Sequence, residues 1–413
     1  MFLYGILSTI VFIIAMPFVF AIRKCIGKPN AGLKAKFGFI NSPFNPDDDI
    51  IMLHGVSVGE VIALENLAKK IKETFPNVKL AVTTGTKTGQ EIAQKKYEEI
   101  ADFITYFPFD IPFCVDRFLK RLNPKTVLIA ETEIWPYFAY ACKKRNIPIS
   151  IINGRISDST FNSYLKVKFF FKSVFKNFAA IYTQSMEDKN KYIAVGADEG
   201  KVEVMGNLKF DVKRKDADIQ IGQEGFRIII AGSTHAGEDE IVLEVFKNLK
   251  SKYSDIKLLL APRHPKRVPD IENLMKNMNL SYGLRSKDDK FSNYDIIILD
   301  TLGELGKMYS ICHFAFIGGS FNNTGGHNPL EATVYNKPTI TGPSIHNFRD
   351  IYWLLSRSDA GKVVKNPSEL SDYIEKLLSD YDFYNKACDD CKNIFNEQQG
   401  ALDVVIKEIK SVL

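Results

Sequence analysis

Short apolar runs alternate with helix-length amphipathic segments along most of the chain, and this alternation constrains the fold more than any other feature. The runs lie at residues 50–53, 80–83, 126–130, 149–152 and 181–183, and again at 227–231, 257–261, 294–299, 314–317 and 338–341. Continuous apolar strands of this length are typical of parallel sheets that helices cover on both faces. The sequence therefore predicts an α/β protein built from doubly wound, Rossmann-like units.

The chain has 413 residues, which is more than one domain usually contains, and the apolar runs fall into two groups. Residues 213–225, between the groups, are polar and charged and predict a linker. We expect one Rossmann-like domain over 23–212, a second over 226–395, and a final helix over 396–413. The strand ends and helix starts of both domains are expected to line a cleft.

The N-terminal apolar segment is much longer than the predicted strands. Residues 2–22 carry no charge, and as a helix they would extend about 31 Å, which is enough to cross the hydrocarbon core of a bilayer. Arg23, Lys24 and Lys28 follow, and basic residues on that flank favour a cytosolic position for the rest of the chain. The sequence predicts a transmembrane anchor over 1–22, with a helix lying in the membrane surface as the alternative.

Composition narrows the classes of function. Apolar residues make up 45% of the chain and charged residues 25%, as in globular proteins. The net charge of +5 is too small to indicate a nucleic-acid partner, but it is compatible with an anionic membrane surface. Cys388 and Cys391 have C-x-x-C spacing without a second pair or a neighbouring His, so reduced thiols are a better interpretation than a metal or redox pair.

Acidic and polar residues follow the strands of the first group. Glu60 begins the helix after the first strand, where it could act as a base or only cap the helix. Glu131 and Glu133 follow the strand at 126–130, and because two carboxylates are costly to desolvate, we expect one of them to contact a ligand or a basic partner. Arg155 follows the next strand, where it could bind a carboxylate or phosphate, or pair with Asp158.

A glycine-rich loop follows the strand at 314–317. It contains Gly318, Gly319, Gly325, Gly326 and His327 and leads into Asn328-Pro329-Leu330-Glu331. Glycine lets a backbone pass close to a ligand, and Pro329 suits the first turn of a helix, whose free N–H groups attract anions. With an acid in that turn, the loop predicts a site for a phosphate joined to a ribose; a turn without a ligand is the alternative. The spacing fits neither the dinucleotide motif nor a P-loop.

Three further strand-end loops belong to the second group. They span 232–238, 262–265 and 302–304, and their candidate contacts are Ser233, His235, Arg263 and Glu304. Each loop alone is weak evidence because strand-to-helix loops are polar by default, but their recurrence indicates a ligand site. Lys209, just before the linker, could reach the same cleft or could be an ordinary solvated lysine. His264 and His327 lack the spacing of metal ligands, so we expect a metal-independent site.

One predicted helix, over residues 164–178, combines an aromatic face with a stripe of lysines. The face consists of Val167, Phe170, Phe171, Val174, Phe175 and Phe178, and the stripe of Lys168, Lys172 and Lys176. Such a face either packs on its own sheet or lies at the bilayer, where the lysines would attract an anionic lipid. Lys34 and Lys36, just after the predicted anchor, could attract a lipid in the same way.

Together these motifs resemble the 3-deoxy-D-manno-octulosonic acid (Kdo) transferases, a family of lipopolysaccharide inner-core glycosyltransferases. The resemblance rests on residues 54–60, 131–136, 153–157, 232–238, 262–265 and 318–331, and it covers nearly the whole chain. It implies a GT-B fold and inverting transfer of Kdo from CMP-Kdo to the lipid A precursor, lipid IVA. It also implies a place on the cytoplasmic side of the inner membrane and no metal or other cofactor.

The resemblance implies roles for individual residues. Glu60 would be the general base, and Glu131 and Lys209 would stabilise the transition state. The first domain would bind the acceptor, and the second would bind CMP through Pro262, Arg263, Leu302, Gly303, Glu304, Asn328, Pro329, Leu330 and Glu331. Further candidate contacts are Arg155, Ser233, His235, Gly325, Gly326 and His327. The chain departs from the family at Lys266, where an acid is frequent, and at Gly154, where alanine is frequent.

Two other functions are compatible with parts of this pattern. A GT-B-like enzyme acting on a UDP-sugar, such as an epimerase, would share the glycine loop and the ribose-facing acid, but it would have to hold a diphosphate. A non-enzymatic membrane lipid-binding protein would share the apolar N-terminus and the aromatic helix. It would have no need for acids and cations at so many strand ends.

Overall fold

The computed structural model describes residues 2–25, 31–215, 219, 221–222, 224–287 and 290–413. The chain divides into two compact units, Met1–Asp211 with Gln398–Leu413, and Val212–Glu397. Over these described residues each unit contains one seven-stranded sheet whose strands pair in parallel, so the predicted pair of parallel α/β domains is confirmed. Lys28, and residues 216–218, 220 and 223 of the predicted linker, lie outside the described residues.

The first unit is a parallel sheet covered by helices on both faces. Its strands are β1 (Ile50–His54), β2 (Lys79–Thr84), β3 (Phe103–Tyr106), β4 (Thr126–Ala130), β5 (Ile149–Gly154), β6 (Ala180–Thr183) and β7 (Val202–Val204), in the spatial order β3-β2-β1-β4-β5-β6-β7. Its helices are α1 (Phe2–Cys25), α2 (Leu33–Lys36), α3 (Val58–Thr74), α4 (Lys87–Tyr97), α5 (Pro112–Leu122), α6 (Pro136–Lys144), α7 (Asp158–Lys166), α8 (Lys168–Phe175) and α9 (Met186–Ala194). Because side chains alternate along a strand, Met52 packs in the core on one face and Leu53 in the core on the other.

The second unit repeats this plan. Its strands are β8 (Arg227–Thr234), β9 (Ile256–Pro262), β10 (Tyr282–Leu284), β11 (Ile296–Ile298), β12 (Phe314–Ile317), β13 (Thr339–Thr341) and β14 (Gly361–Val363), in the order β10-β11-β9-β8-β12-β13-β14. Its helices are α10 (Glu238–Lys250), α11 (Val268–Asn277), α12 (Leu305–Met308), α13 (Leu330–Thr333), α14 (Arg349–Leu355), α15 (Pro367–Ser379) and α16 (Tyr381–Gln398). Short 3-10 turns lie at Glu199–Lys201, Leu208–Phe210, Pro265–Arg267 and Tyr309–Ile311.

The strand order of each sheet reverses beside its first strand. In the first sheet the chain moves outward from β1 to β2 and β3, and then returns to the other side of β1 as β4. In the second sheet β8 likewise lies between β9 and β12. Each reversal leaves a crevice at the carboxyl ends of two neighbouring strands, which are β1 and β4 in the first sheet and β8 and β12 in the second. Open α/β sheets bind their ligands in such a crevice.

The last helix, α17 (Ala401–Val412), belongs to the first unit, where it packs against α3 and buries Val405 and Ile409. The residue before it is Gly400, which has no side chain to cap the helix. Asp211 provides the cap instead, because its carboxylate accepts the N–H groups of Gly400 and Leu402 at 2.9 and 2.7 Å. The closing helix was predicted over 396–413, but residues 396–398 form the end of α16.

Helix α1 covers the predicted anchor. Among the helices of the described residues, none is both long and apolar enough to cross a membrane, so the predicted transmembrane helix is not supported. One side of α1 packs on the first unit, where the Tyr4 hydroxyl donates to Asp110 at 3.2 Å and the Phe12 ring contacts Phe37 and Phe109.

The segment predicted as one helix over 164–178 is divided at Val167 between α7 and α8. Phe171, Val174 and Phe175 pack in the core of the first unit, which agrees with the interpretation that the aromatic face packs on its own sheet. Phe169, which was not part of the predicted face, is 81% exposed.

Replacing Asp211 by alanine (D211A) is expected to destabilise the first unit, because two N–H groups at the start of α17 lose their acceptor. Loss of a helix cap costs roughly 0.5–2 kcal/mol. Urea unfolding followed by circular dichroism should show a lower midpoint for D211A. The control D403A alters an exposed acid in the first turn of the same helix and should change the midpoint less. Equal midpoints for D211A and the unaltered chain would contradict the capping role.

Candidate active site

Glu60 lies in the first turn of α3, at the carboxyl end of β1, and its side chain is buried. One carboxylate oxygen accepts the N–H of Val56 and the other accepts the hydroxyl of Ser57, both at 2.7 Å. Ser57 in turn accepts the N–H of Glu60 at 3.4 Å, so Ser57 is the cap of α3 and its hydroxyl also holds the Glu60 carboxylate. The N–H that Glu60 accepts, that of Val56, belongs to the loop before the helix. A carboxylate can accept about four hydrogen bonds, so two acceptor positions are left for a substrate proton.

Glu131 directly follows β4, the neighbour of β1, and has a backbone φ of 57°. This left-handed conformation is unfavourable for a residue with a Cβ and is typical of functional sites when the surroundings enforce it. Here the Glu131 N–H donates to the Ile152 carbonyl at 3.0 Å, and the Tyr192 hydroxyl donates to the Glu131 carbonyl at 3.2 Å. The backbone that presents Glu131 is therefore held from two sides.

Glu133 is a functional candidate that sequence reasoning noted only as a second acid. Burial, and then the charges of Glu60 and Glu131, raise the pKa of Glu133 to about 7. The three carboxylates are thus close enough to influence one another. The sequence indicated this site only by placing two glutamates, Glu131 and Glu133, after one buried strand. That pattern does not show which of the two has a pKa near neutral pH.

Lys209 lies on the 3-10 turn Leu208–Phe210, which packs against α3. The Asn153 side chain, buried at the end of β5, accepts the N–H of Leu208 at 3.1 Å, and the Asn207 side chain accepts the N–H of Lys209 at 3.0 Å. These bonds tie the backbone of Lys209 to the same edge of the sheet as Glu60. The structure therefore brings Glu60, Glu131 and Lys209 to one edge, and their catalytic roles stay predictions.

Arg155 is joined to the acidic loop through its backbone, because its carbonyl accepts the hydroxyl of Thr132. Asp158, which was considered as the partner of Arg155, pairs with Lys191 at 2.7 Å. Gly154 lies in a tight space, where a Cβ would be 3.1 Å from the Tyr182 carbonyl. The alanine that the resemblance leads us to expect at this position would therefore require a small local shift.

The glycine loop after β12 does not offer its first N–H groups to a ligand. The N–H groups of Gly319, Ser320 and Phe321 donate to the buried carboxylate of Glu238, at 2.7, 2.8 and 2.9 Å. The N–H of His327 donates back to the Gly318 carbonyl at 3.1 Å. Glycine is required at Gly318, since a Cβ there would lie 2.6 Å from the carbonyl oxygen of residue 233. The first N–H groups of the loop are thus occupied by the protein's own carboxylate, and a phosphate site at the later part of the loop stays a prediction.

Three histidines and an arginine gather at this edge of the second sheet. The Nε2 atoms of His235 and His327 are 2.9 Å apart, and the ring of His264 stands edge-on to His235. Burial lowers the pKa of His235, and it lowers the pKa of His327 to about 4 with help from His235 and Arg263. Among the described residues, no group of three or more potential ligands could hold a metal ion. Independence of metal stays a prediction.

Several predicted CMP contacts lie together. Burial raises the pKa of Glu331, while the nearby charges of Lys215 and Arg263 oppose this rise. Arg263 follows Pro262 at the end of β9, and its N–H donates to the Thr234 carbonyl at 2.9 Å. Pro329 and Leu330 are buried at the start of α13, where Leu330 donates to the Asn328 side chain. Lys266, where the resemblance leads us to expect an acid, is exposed.

The remaining predicted contacts have different surroundings. Leu302 is 79% exposed, and Gly303 has a φ of 81°. Burial pushes the pKa of Glu304 up, but hydrogen bonds from Lys307, Thr301 and Arg285 outweigh it and hold the pKa at about 2. Glu304 is thus already paired within its own unit. Left-handed backbone conformations occur at Ser233, Gly325 and Gly326.

Each unit therefore presents polar and charged residues at the switch point of a Rossmann-like sheet. The first unit contributes carboxylates and a lysine, and the second contributes an arginine, histidines and a buried acid. Two such units in one chain resemble the architecture of GT-B glycosyltransferases and of related sugar-nucleotide enzymes.

Comparison with known proteins identifies the family. Residues 31–212 match the family model described as 3-deoxy-D-manno-octulosonic-acid transferase (kdotransferase). The chain is 32% identical to the 3-deoxy-D-manno-octulosonic acid transferase of Haemophilus influenzae, over 92% of this chain and 91% of that protein. It is 31% identical to the enzyme of the same name from Rickettsia prowazekii, over 88% and 80%. The chain belongs to the Kdo transferase family and is a glycosyltransferase.

Two further proteins are similar to this chain, one in sequence and one in structure. A bifunctional glycosyltransferase/methyltransferase of Fusobacterium nucleatum is 37% identical over 88% of this chain and 57% of that protein. The UDP-GlcNAc 2-epimerase of Neisseria meningitidis, solved with UDP-GlcNAc, is similar in structure with a TM-score of 0.53 and 13% identity, over 88% of this chain and all of that chain. At this identity the likeness concerns the fold alone.

Replacing Glu133 by glutamine (E133Q) is expected to stabilise the protein at pH 8 and not at pH 4.5. The pKa of Glu133 is raised to about 7, so the folded protein keeps a proton that the unfolded chain loses above about pH 4.5. Stability is therefore lost as the pH rises towards 7, and glutamine, which cannot ionise, avoids this loss. The melting temperature of E133Q should be higher by about 2–4 °C at pH 8.

The control for this measurement is E73Q, which alters an exposed glutamate on α3. It should leave the melting temperature unchanged at both pH values. A uniform shift of E133Q at pH 4.5 and pH 8 would show that Glu133 does not titrate in this range.

Proposed function

We propose that this enzyme transfers Kdo from CMP-Kdo to the lipid A precursor, lipid IVA, with inversion at the anomeric carbon, in lipopolysaccharide core biosynthesis. The observation that carries the proposal is the buried Glu60 carboxylate at the switch point of the first sheet, in a chain of the Kdo transferase family. Its two hydrogen bonds fix the orientation of the carboxylate and leave acceptor positions open.

In this proposal Glu60 takes the proton of the acceptor hydroxyl while that oxygen attacks the anomeric carbon. A single attack, with the base on one face and CMP leaving from the other, inverts the configuration. Three carboxylates at one edge would repel one another strongly if all were charged. The pKa of Glu133 near 7 supports an arrangement in which this neighbour carries a proton during part of the cycle.

Glu131 and Lys209 would stabilise the transition state from the same edge of the first unit. CMP would bind at the second unit, with Arg263 near its phosphate and Glu331 near its ribose. The donor carries one phosphate, already esterified to the sugar, so cationic side chains and N–H groups suffice for the leaving group and we propose no metal.

Replacing Glu60 by glutamine (E60Q) is expected to lower Kdo transfer by roughly 10²–10⁴-fold, because general-base catalysis is lost. CMP affinity, measured by calorimetry, should not change. The assay is mass spectrometry of the product formed from CMP-Kdo and lipid IVA. S57A is the matched control, since it removes the capping hydroxyl but keeps the carboxylate, and it should retain most of the activity.

Two outcomes would contradict these assignments separately. Equal losses in E60Q and S57A would show that Glu60 acts only by holding the loop together with Ser57, and not as a base. Absence of product with the unaltered enzyme, together with binding of UDP in preference to CMP, would support the UDP-sugar alternative.

We further propose that α1 lies in the surface of the inner membrane, on its cytoplasmic side, where a lipid acceptor resides. The outer side of α1 exposes apolar side chains, among them Ile13, Ile14 and Phe18, which are 65, 62 and 67% exposed. The exposed Phe113 lies beside the α1 contact with α5, and the exposed Phe169 lies beside Phe170, which packs on Tyr4. Patches of this kind mark membrane or partner surfaces.

The double substitution I14D/F18D is expected to abolish flotation of the protein with vesicles of phosphatidylethanolamine and phosphatidylglycerol, because two charges would enter the apolar face. Y381D, which alters an aromatic residue of the second unit that is 76% exposed, is the control and should float normally. Alkaline carbonate should release the unaltered protein from membranes. Retention in the carbonate pellet would instead favour a spanning helix.

A further inference from the structure

Glu238, the first residue of α10, is only 1% exposed and joins the two loops that flank the switch point of the second sheet. One carboxylate oxygen accepts the N–H groups of Ser320 and Phe321, at 2.8 and 2.9 Å. The other accepts those of Gly319 and His235, at 2.7 and 3.0 Å. Four backbone donors therefore fill the acceptor positions of this carboxylate.

Successive N–H groups in a turn form a concave site for anions. In this chain the anion is part of the protein, so the loop after β12 is fixed whether or not a ligand is bound. Without the carboxylate, four N–H groups at a buried position would have no acceptor, and each such loss is costly. The loop would then have to rearrange.

The two loops that Glu238 joins carry His235 and His327. Their rings lie nearly parallel, at 9°, and their Nε2 atoms are 2.9 Å apart. A hydrogen bond between two imidazole nitrogens needs one proton between them, so one ring carries its proton on Nε2 and the other on Nδ1. We call the two rings a closed pair when this hydrogen bond joins them. The closed pair presents one Nδ1 lone pair and one Nδ1–H to its surroundings.

We propose that Glu238 is a positioning residue for donor binding, and that it acts by keeping the His235–His327 pair closed. The closed pair faces the sugar nucleotide with one donor nitrogen and one acceptor nitrogen. The donor could bind a hydroxyl or a phosphate oxygen, and the acceptor could bind a hydroxyl. The inference rests on the proposed function, because the sugar nucleotide is identified there as CMP-Kdo.

The variant E238Q tests the proposal because glutamine has the shape of glutamate but places an NH₂ group opposite two of the four N–H donors. CMP affinity, measured by calorimetry on the full chain, should fall about tenfold or more. Long-range ¹H–¹⁵N spectra of the unaltered chain should show one histidine protonated on Nε2 and one on Nδ1 that are assigned to this pair. E238Q should lose this signature.

H327A removes one member of the pair without touching Glu238, and it should weaken CMP binding to a similar extent. The double variant E238Q/H327A should bind no more weakly than the weaker single variant, because both changes open the same pair. D110N is the control, since Asp110 is a half-buried carboxylate of the first unit that accepts the N–H groups of Tyr137 and Phe138. It should leave CMP affinity unchanged.

Unchanged CMP affinity in folded E238Q, or additive losses in the double variant, would overturn the inference and leave the proposed function intact. If E238Q does not fold, unchanged CMP affinity in H327A overturns the inference equally. Failure of the unaltered chain to bind CMP would overturn the proposed function, and the role assigned to Glu238 in donor binding with it.

Discussion

The parallel pairing of the strands is the constraint on which the functional residues depend. Because every strand of a parallel sheet points the same way, all loops that follow strands lie at one edge, and the reversal of strand order leaves a crevice there. Glu60 and Glu131 follow the neighbouring strands β1 and β4, and Glu238 and His327 follow the neighbouring strands β8 and β12. Residues distant in sequence become neighbours through this register alone.

Glu60 and Glu238 occupy the same position in their two units but differ in how many of their acceptor positions are used. Both are buried glutamates in the first turn of the helix after the first strand of their unit, and both accept backbone N–H groups of their own loop. Glu60 accepts two hydrogen bonds, from Val56 and Ser57. Glu238 accepts N–H groups from two loops and has no acceptor position to spare. A carboxylate that is only partly saturated can accept a proton, whereas a saturated one can only hold the backbone in place.

The sequence predicted the inner strands because a strand covered on both faces needs a continuous apolar run. The strands it did not predict, β3, β7, β10 and β14, are the outer strands of the two sheets, and each is partly exposed. Acids at strand ends were predictable in the same way, from position alone. The partners of Glu238 were not, because Gly319 is 81 positions away and a glutamate in a first turn reads as an ordinary cap.

The charges of the two switch points differ in a way that the chemistry of glycosyl transfer explains. Glu60, Glu131 and Glu133 make the edge of the first sheet acidic, which suits removal of a proton from a neutral hydroxyl. At the edge of the second sheet the positive charges of Arg263 and Lys215 lie near the half-buried Glu331 and oppose the rise of its pKa, and such positive charge suits a phosphate that gains negative charge as it leaves. In the proposed reaction the acidic edge would serve activation of the nucleophile, and the edge with Arg263 and Lys215 would serve departure of the nucleotide, since a base and an anionic leaving group are stabilised by surroundings of different charge.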